Sequence, residues 1–168
     1  MRPALPLIQT QRSGTPINLR ADPVTTNTIT YTIRAGLVLD LSTFTVTFTS
    51  DANLGNRTIA MTVTGPEHTV IFEDHPTIAQ ADALTRYYTW AVGAQTGAAF
   101  AGANLLRGLP PMVLIPGTTI TVWDEAGIAA TDTIPSLALH GWGLTDVSVL
   151  EGLREYGIYT SLGIGMGR

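Results

Sequence analysis

Apolar and polar residues alternate one for one over several stretches of this chain, the pattern of strands that bury one face. In Thr28-Ile29-Thr30-Tyr31-Thr32-Ile33 the apolar side chains fall at odd positions and threonine fills the other face. Thr43-Phe44-Thr45-Val46-Thr47-Phe48-Thr49 repeats the pattern, with Phe44, Val46 and Phe48 pointing one way and four threonines the other. Thr58 to Thr64 follows, with Ile59, Met61 and Val63 inward. The intervening Asp51-Ala52-Asn53-Leu54-Gly55-Asn56 is rich in turn formers and predicts a hairpin loop. Gly65-Pro66-Glu67-His68 predicts a second turn, leading into Thr69-Val70-Ile71-Phe72. Threonine, 26 residues in all, supplies most of the polar positions, as suits a β-branched residue on a half-buried pleated surface.

Further strands are expected downstream. Thr85 to Val92 places Arg86, Tyr88, Trp90 and Val92 on one face. Met112-Val113-Leu114-Ile115 is a short apolar run between Pro111 and Pro116-Gly117. Thr118 to Trp123 alternates with Ile120 and Val122 inward, and a last strand falls within Ser136 to His140. The small-residue-rich stretch Ala98 to Leu106 reads as a loop or a short helix. About eight short antiparallel strands punctuated by turns make an all-β chain, a β-sandwich or jelly roll. The organisation expected is an extended N-terminal arm over 1–24, a sandwich over 25–144, and a short helix with a Gly-rich tail over 145–168. Four prolines and three arginines without periodicity mark the arm. Ser148 with Glu151 fits a capping box, Leu150 and Leu153 an apolar stripe, and Gly157 a stop.

Composition narrows the function. Nine arginines, no lysine and thirteen acidic residues give a net charge of −4, which argues against nucleic-acid binding and a polybasic membrane anchor. Charged residues are 13% of the chain, against roughly 25% in an average domain, so the chain is expected either to be mostly covered by partners or to be only marginally soluble. The absence of cysteine excludes disulfides, Cys-ligated metals and thiol nucleophiles. Met1 to Ile8 lacks the charged start and apolar run of about 7–15 residues that make a signal peptide. The most apolar region, Ala91 to Gly117, is broken by Gln95, Asn104, Arg107 and two prolines, so no membrane span is expected.

Candidate chemistry is sparse. His68 and His75 flank a strand with Glu73 and Asp74, but alternation sets His68 and Asp74 on one face and Glu73 and His75 on the other. Three ligands do not converge, and no metal or cofactor is expected. His140-Gly141-Trp142-Gly143 reads as a turn with a buried indole. The adjacent carboxylates Glu73-Asp74 and Asp124-Glu125 read as solvated turns, and Asp132 as a turn residue capping backbone N–H groups. Neither a G-x-S-x-G nucleophile turn, a Walker loop nor a dinucleotide fingerprint is present, so catalytic residues are expected to be none and the chain is not read as an enzyme. T-x-T runs beginning at Thr28, Thr43, Thr62 and Thr119 lie 15, 19 and 57 residues apart, without the constant period of an ice-binding solenoid.

Leu109-Pro110-Pro111-Met112-Val113-Leu114-Ile115-Pro116-Gly117-Thr118-Thr119-Ile120-Thr121-Val122, followed by Ile128-Ala129-Ala130-Thr131-Asp132-Thr133-Ile134, resembles the closing unit of small β-sandwich structural proteins of tailed bacteriophages. Gly55 to Val63 fits their first hairpin, so the resemblance spans about 55 to 135. It implies a non-enzymatic virion protein, like the capsid cement or decoration proteins that stabilise the shell by bridging major capsid subunits. Such proteins are commonly homo-oligomers, many of them trimers, on the capsid exterior of particles assembled in the host cytoplasm, and they grip the major capsid protein with extended arms. In that role Leu5, Leu7 and Ile8 would be apolar anchors, and Arg2, Arg12 and Arg20 would meet acidic partner surface. A head–tail connector, tail or fibre-associated subunit is the alternative in the same setting. A carbohydrate-binding module is the alternative from another class, with Tyr87, Tyr88, Trp90, Trp123 and Trp142 as its available stacking residues.

Overall fold

A computed structural model describes residues 15–21, 27–126 and 131–143. These residues form ten strands in two sheets, and among them there is no helix. The strands are β1 (Thr15–Ala21), β2 (Thr28–Thr32), β3 (Leu39–Thr49), β4 (Ile59–Thr64), β5 (Val70–Asp74), β6 (Thr85–Val92), β7 (Asn104–Leu109), β8 (Met112–Leu114), β9 (Thr119–Asp124) and β10 (Thr133–Gly143). One sheet has the order β1-β10-β3-β6-β7, with β8 also paired to β3; the other runs β2-β9-β4-β5. All pairs are antiparallel except β6 with β7.

The alternation becomes burial. Phe44, Val46, Phe48, Tyr88 and Trp90 from the first sheet meet Ile59, Met61, Val63, Ile120 and Val122 from the second, all essentially inaccessible. Trp90 stands opposite Phe44 in register, their rings 5.3 Å apart, and stacks on Tyr88 at 6.3 Å. Burying each such side chain stabilises the fold by about 1.5–3 kcal/mol before chain entropy is counted.

Several expectations change. Asp51 to Asn56 is not a hairpin loop: β3 and β4 lie in different sheets, and the loop carries the chain from one to the other. Ala98 to Leu106 is neither all loop nor helix, because Asn104–Leu109 is a strand laid parallel to β6. The segment His140 to Gly143 is the end of β10, not a turn. Its register shifts between His140 and Gly141, and a Cβ at Gly141 would collide with the Asp40 carbonyl oxygen, so only glycine allows β3 that close. Of the arm placed over 1–24, residues 15–21 are extended and lie along β10 as an edge strand. The helix and tail placed over 145–168 lie outside the described residues.

Candidate functional site

The outer face of the four-stranded sheet is a grid of hydroxyls. Thr30, Thr121 and Thr62 stand side by side, and Thr32, Thr119 and Thr64 form the next row. Three of the four T-x-T runs therefore share this face despite their irregular sequence intervals. Thr30 Oγ1 and Thr121 Oγ1 lie 3.1 Å apart and bond to each other, so they do not present the evenly spaced array an ice surface requires. The other sheet is built alike, with Thr45 bonded to Thr89 at 3.2 Å, Thr49 to Thr85 at 3.0 Å, and Ser136 to Thr47 at 2.7 Å. Charge is absent from the middle of the four-stranded face, where Glu73 sits on the edge strand β5; the six-stranded face carries Asp40 on its central strand β3, Arg20 on the edge strand β1, and exposed Tyr87 and Leu106 beside the threonines.

At the sandwich end where β3 leaves for β4, the chain wraps around a buried cation. Arg57 is fully inaccessible, and each of its five N–H groups has an acceptor. Its Nε donates to Asp132 Oδ2 at 2.9 Å; Nη1 donates to the Asn53 and Gly55 carbonyls at 2.7 and 2.5 Å; Nη2 donates to Asp51 Oδ1 at 2.6 Å and Asp132 Oδ1 at 3.4 Å. Asp132 also accepts from the Asp51 backbone N–H at 2.7 Å, the capping role expected of it. Asp51 accepts from the Thr131 hydroxyl, which contributes most to holding its carboxyl below the usual range. The loop tip, Leu54, is 87% exposed. Sequence reading missed Arg57; the signal was the acceptor series Asp51-x-Asn53-x-Gly55 ahead of an arginine.

A second, partly buried polar contact joins the sheets. Asp74 of β5 accepts from Trp90 Nε1 at 2.7 Å and from Arg107 Nε and Nη2 at 2.8 and 2.5 Å. Burial pushes the Asp74 carboxyl up, but the bonds from Arg107 and Trp90 outweigh it and hold it below the usual range. Asp74 is thus a partly buried cross-sheet tie and not the solvated turn expected, and Asp124 is buried. Next to Asp74 on the chain, His75 lies between Glu73 and Glu125, beside Trp123. Glu73 and His75 do share a face. Among the described residues no cluster of His, Asp and Glu is arranged to hold a metal ion.

Arg20 is exposed on β1 opposite Ala138, while Arg2, Leu5, Leu7, Ile8 and Arg12 lie outside the described residues. Of the stacking candidates, Tyr88 and Trp90 are core residues with no accessible surface; Tyr87 is exposed, and Trp123 and Trp142 are half-buried. His68 sits exposed at the β4–β5 turn, and His140 bonds Asn18 across the β1–β10 pair at 2.5 Å.

No known family model and no curated protein matches the chain. Among solved structures it is similar to chains of infectious bursal disease virus particles. Against the structure of the Gt strain, identity is 11% with a TM-score of 0.30, over 84% of this chain and 36% of that one. Against the T13 viral particle the figures are 13% and 0.28, over 90% and 46%. Against the VP2 subviral particle they are 12% and 0.26, over 97% and 54%. The chain thus spans between about a third and about half the length of those chains. No residue role or activity is carried over from them.

Proposed function

We propose that the chain is a non-enzymatic structural subunit of a virion, of the cement or decoration kind, that sits on the capsid exterior and bridges major capsid subunits. The observation that carries this reading is the outer face of the four-stranded sheet, a grid of threonine hydroxyls with no charge in its middle. Such a face loses water on contact far more cheaply than one studded with ions, and its Ser and Thr groups bond equally well to backbone or side chains of a partner. A carbohydrate-binding role has less support, because Tyr88 and Trp90 are built into the core.

In this reading the residues before β1 are the attachment arm, with Leu5, Leu7 and Ile8 as anchors and Arg2 and Arg12 against acidic partner surface. Arg20 contributes from the sheet edge, and the free subunit is a homotrimer. An arm of this kind gains apolar and backbone contacts when it orders on its partner, at an entropic cost. The test is co-sedimentation of the purified chain with empty heads, with copy number counted in the pellet and mass measured by light scattering. A trimer that loads at every capsomer is the expected result. Loading at a single vertex moves the protein to the head–tail connector. A monomer that stays in the supernatant overturns the reading. Deleting residues 1–14, which spares β1, is expected to abolish attachment and leave the melting curve intact.

A further inference from the structure

At the corner where β5 ends, one imidazole has a carboxylate on each side. Glu73 Oε1 lies 2.7 Å from His75 Nε2, and Glu125 Oε1 lies 2.8 Å from His75 Nδ1. Glu73 is on β5, two residues before His75, whereas Glu125 directly follows β9. Strand β4 runs between β5 and β9 and offers no titratable group at this level: Thr62 is the register partner of Glu73, and Ala60 that of Trp123. The His75 ring meets the Trp123 ring edge-on, with centroids 5.9 Å apart. The other acids nearby are engaged elsewhere: Asp74 is tied to Arg107, and Asp124 is buried.

A neutral imidazole has one N–H donor and, on its other nitrogen, a lone pair. Carboxylates at hydrogen-bond distance from both nitrogens are satisfied only by the doubly protonated ring. When the proton leaves, one carboxylate faces a lone pair, and attraction on that side turns to repulsion. We propose that Glu73, His75 and Glu125 form a proton-operated clasp that ties the exit of β9 to the edge strand β5, closed while the imidazole carries both protons and open on one side once it does not. The clasp stands apart from the virion reading and holds or fails independently of it. What it fixes is the start of the connection leading to Thr131, which donates to Asp51, and Asp132, which accepts from Arg57.

The bond to Glu73, then that to Glu125, raises the His75 pKa above its ordinary 6.5, with burial opposing weakly. A raised pKa in the folded state means the clasp stabilises fully below 6.5 and is lost as pH rises through the folded value. All three side chains are 41–48% exposed, so solvent screens the effect and keeps it modest.

The experiment is a pH titration of the full chain by two-bond ¹H–¹⁵N correlation, which reports both ring nitrogens, for the wild type, Glu73→Gln and Glu125→Gln. The expected result is a wild-type midpoint above 6.5, lowered by roughly 0.2–0.7 pH unit in each variant, the equivalent of one exposed ion pair. Amide exchange at Glu125, whose N–H bonds the Thr58 carbonyl at 2.8 Å, should rise beyond its intrinsic pH dependence through the same midpoint, and should be high at all pH values in His75→Gln. A midpoint at or below 6.5, or one that neither substitution moves, overturns the clasp; so does Glu125 exchange that His75→Gln leaves unchanged.

Discussion

Replacing Arg57 by methionine keeps much of the side-chain volume and removes every directed bond of the guanidinium. Two backbone carbonyls, Asn53 and Gly55, lose their donor, and the Asp132 carboxylate, itself without accessible surface, keeps the bond from the Asp51 N–H but loses its counterion. Breaking a buried ion pair from one side costs about 3–5 kcal/mol, because the remaining charge stays buried without its counterion. Against a total stability of about 5–15 kcal/mol, that is a large fraction. Urea unfolding followed by tryptophan emission, to which the buried Trp90 contributes, measures it directly. With a slope near 2 kcal/mol/M, the midpoint should fall by about 2 M at unchanged slope. Arg57→Lys should not rescue, since an ammonium is a compact charge and cannot reproduce five N–H groups in a fixed plane. Leu54→Ala at the exposed tip should stay within about 0.5 kcal/mol of wild type. If Arg57→Met loses less than about 1 kcal/mol, the guanidinium is not the centre of this loop and the cage reasoning fails. A double-mutant cycle with Asp132→Leu separates the pair from its surroundings: the double variant should recover part of the loss, because an apolar pair is not left with a lone buried charge.

The cross-sheet tie gives a pH signature. Asp74→Asn should cost about 1.5–3 kcal/mol at pH 7, and the difference from wild type should shrink as pH falls from 3.8 through the lower folded value, since a depressed carboxyl stabilises only above it; equal urea midpoints at pH 7 would refute the tie. Tyr88→Phe removes the donor to Gln80 Oε1 at 3.1 Å in a buried setting, and should lower stability by about 1–3 kcal/mol in the same assay. Gly141→Ala forces a methyl against the Asp40 carbonyl and must move β10 off β3; a loss of about 1–3 kcal/mol in thermal melting is expected, and an unchanged melt would show that the bulge is slack.

How much of this the sequence disclosed depends on which residues faced inward. β2, the second half of β3, β4, β6 and β9 are readable because inward positions are apolar and outward ones are threonine. β7 was hidden because Arg107 occupies an inward position between Leu105 and Leu109, and an arginine there breaks the pattern unless its partner Asp74, on the opposite sheet, is known. The Asp51–Arg57 segment looked like a hairpin loop since its turn formers are real, but they bend around a guanidinium instead of joining paired strands. His75 is a milder case: alternation placed it beside Glu73, yet Glu125, fifty residues on, is invisible to any local pattern.

These misses share a cause that bears on the proposed function. Among the described residues, Arg57 is met by Asp51 and Asp132 and Arg107 by Asp74, within the fold and not on its outer faces. A chain with only 13% charged residues thus turns part of that small complement away from its faces, although buried charge stabilises less than apolar packing would. What such placement secures is geometry: a loop held at one end, two sheets tied at one edge, and the middle of the four-stranded outer face left without charge. A free monomer gains little from faces of that kind, since net charge and scattered ions are what keep proteins apart in solution. Faces of hydroxyls bonded to one another suit a surface that spends its working life against another protein. Placing a lysine at Thr121, in the middle of one grid, is therefore the sharpest probe. Thr121→Lys should fold as the wild type does, because the position is on the outer face, and should lose attachment to particles if that face is covered. If attachment survives the lysine, the four-stranded sheet faces solvent, and the six-stranded sheet or the arm must carry the contact alone.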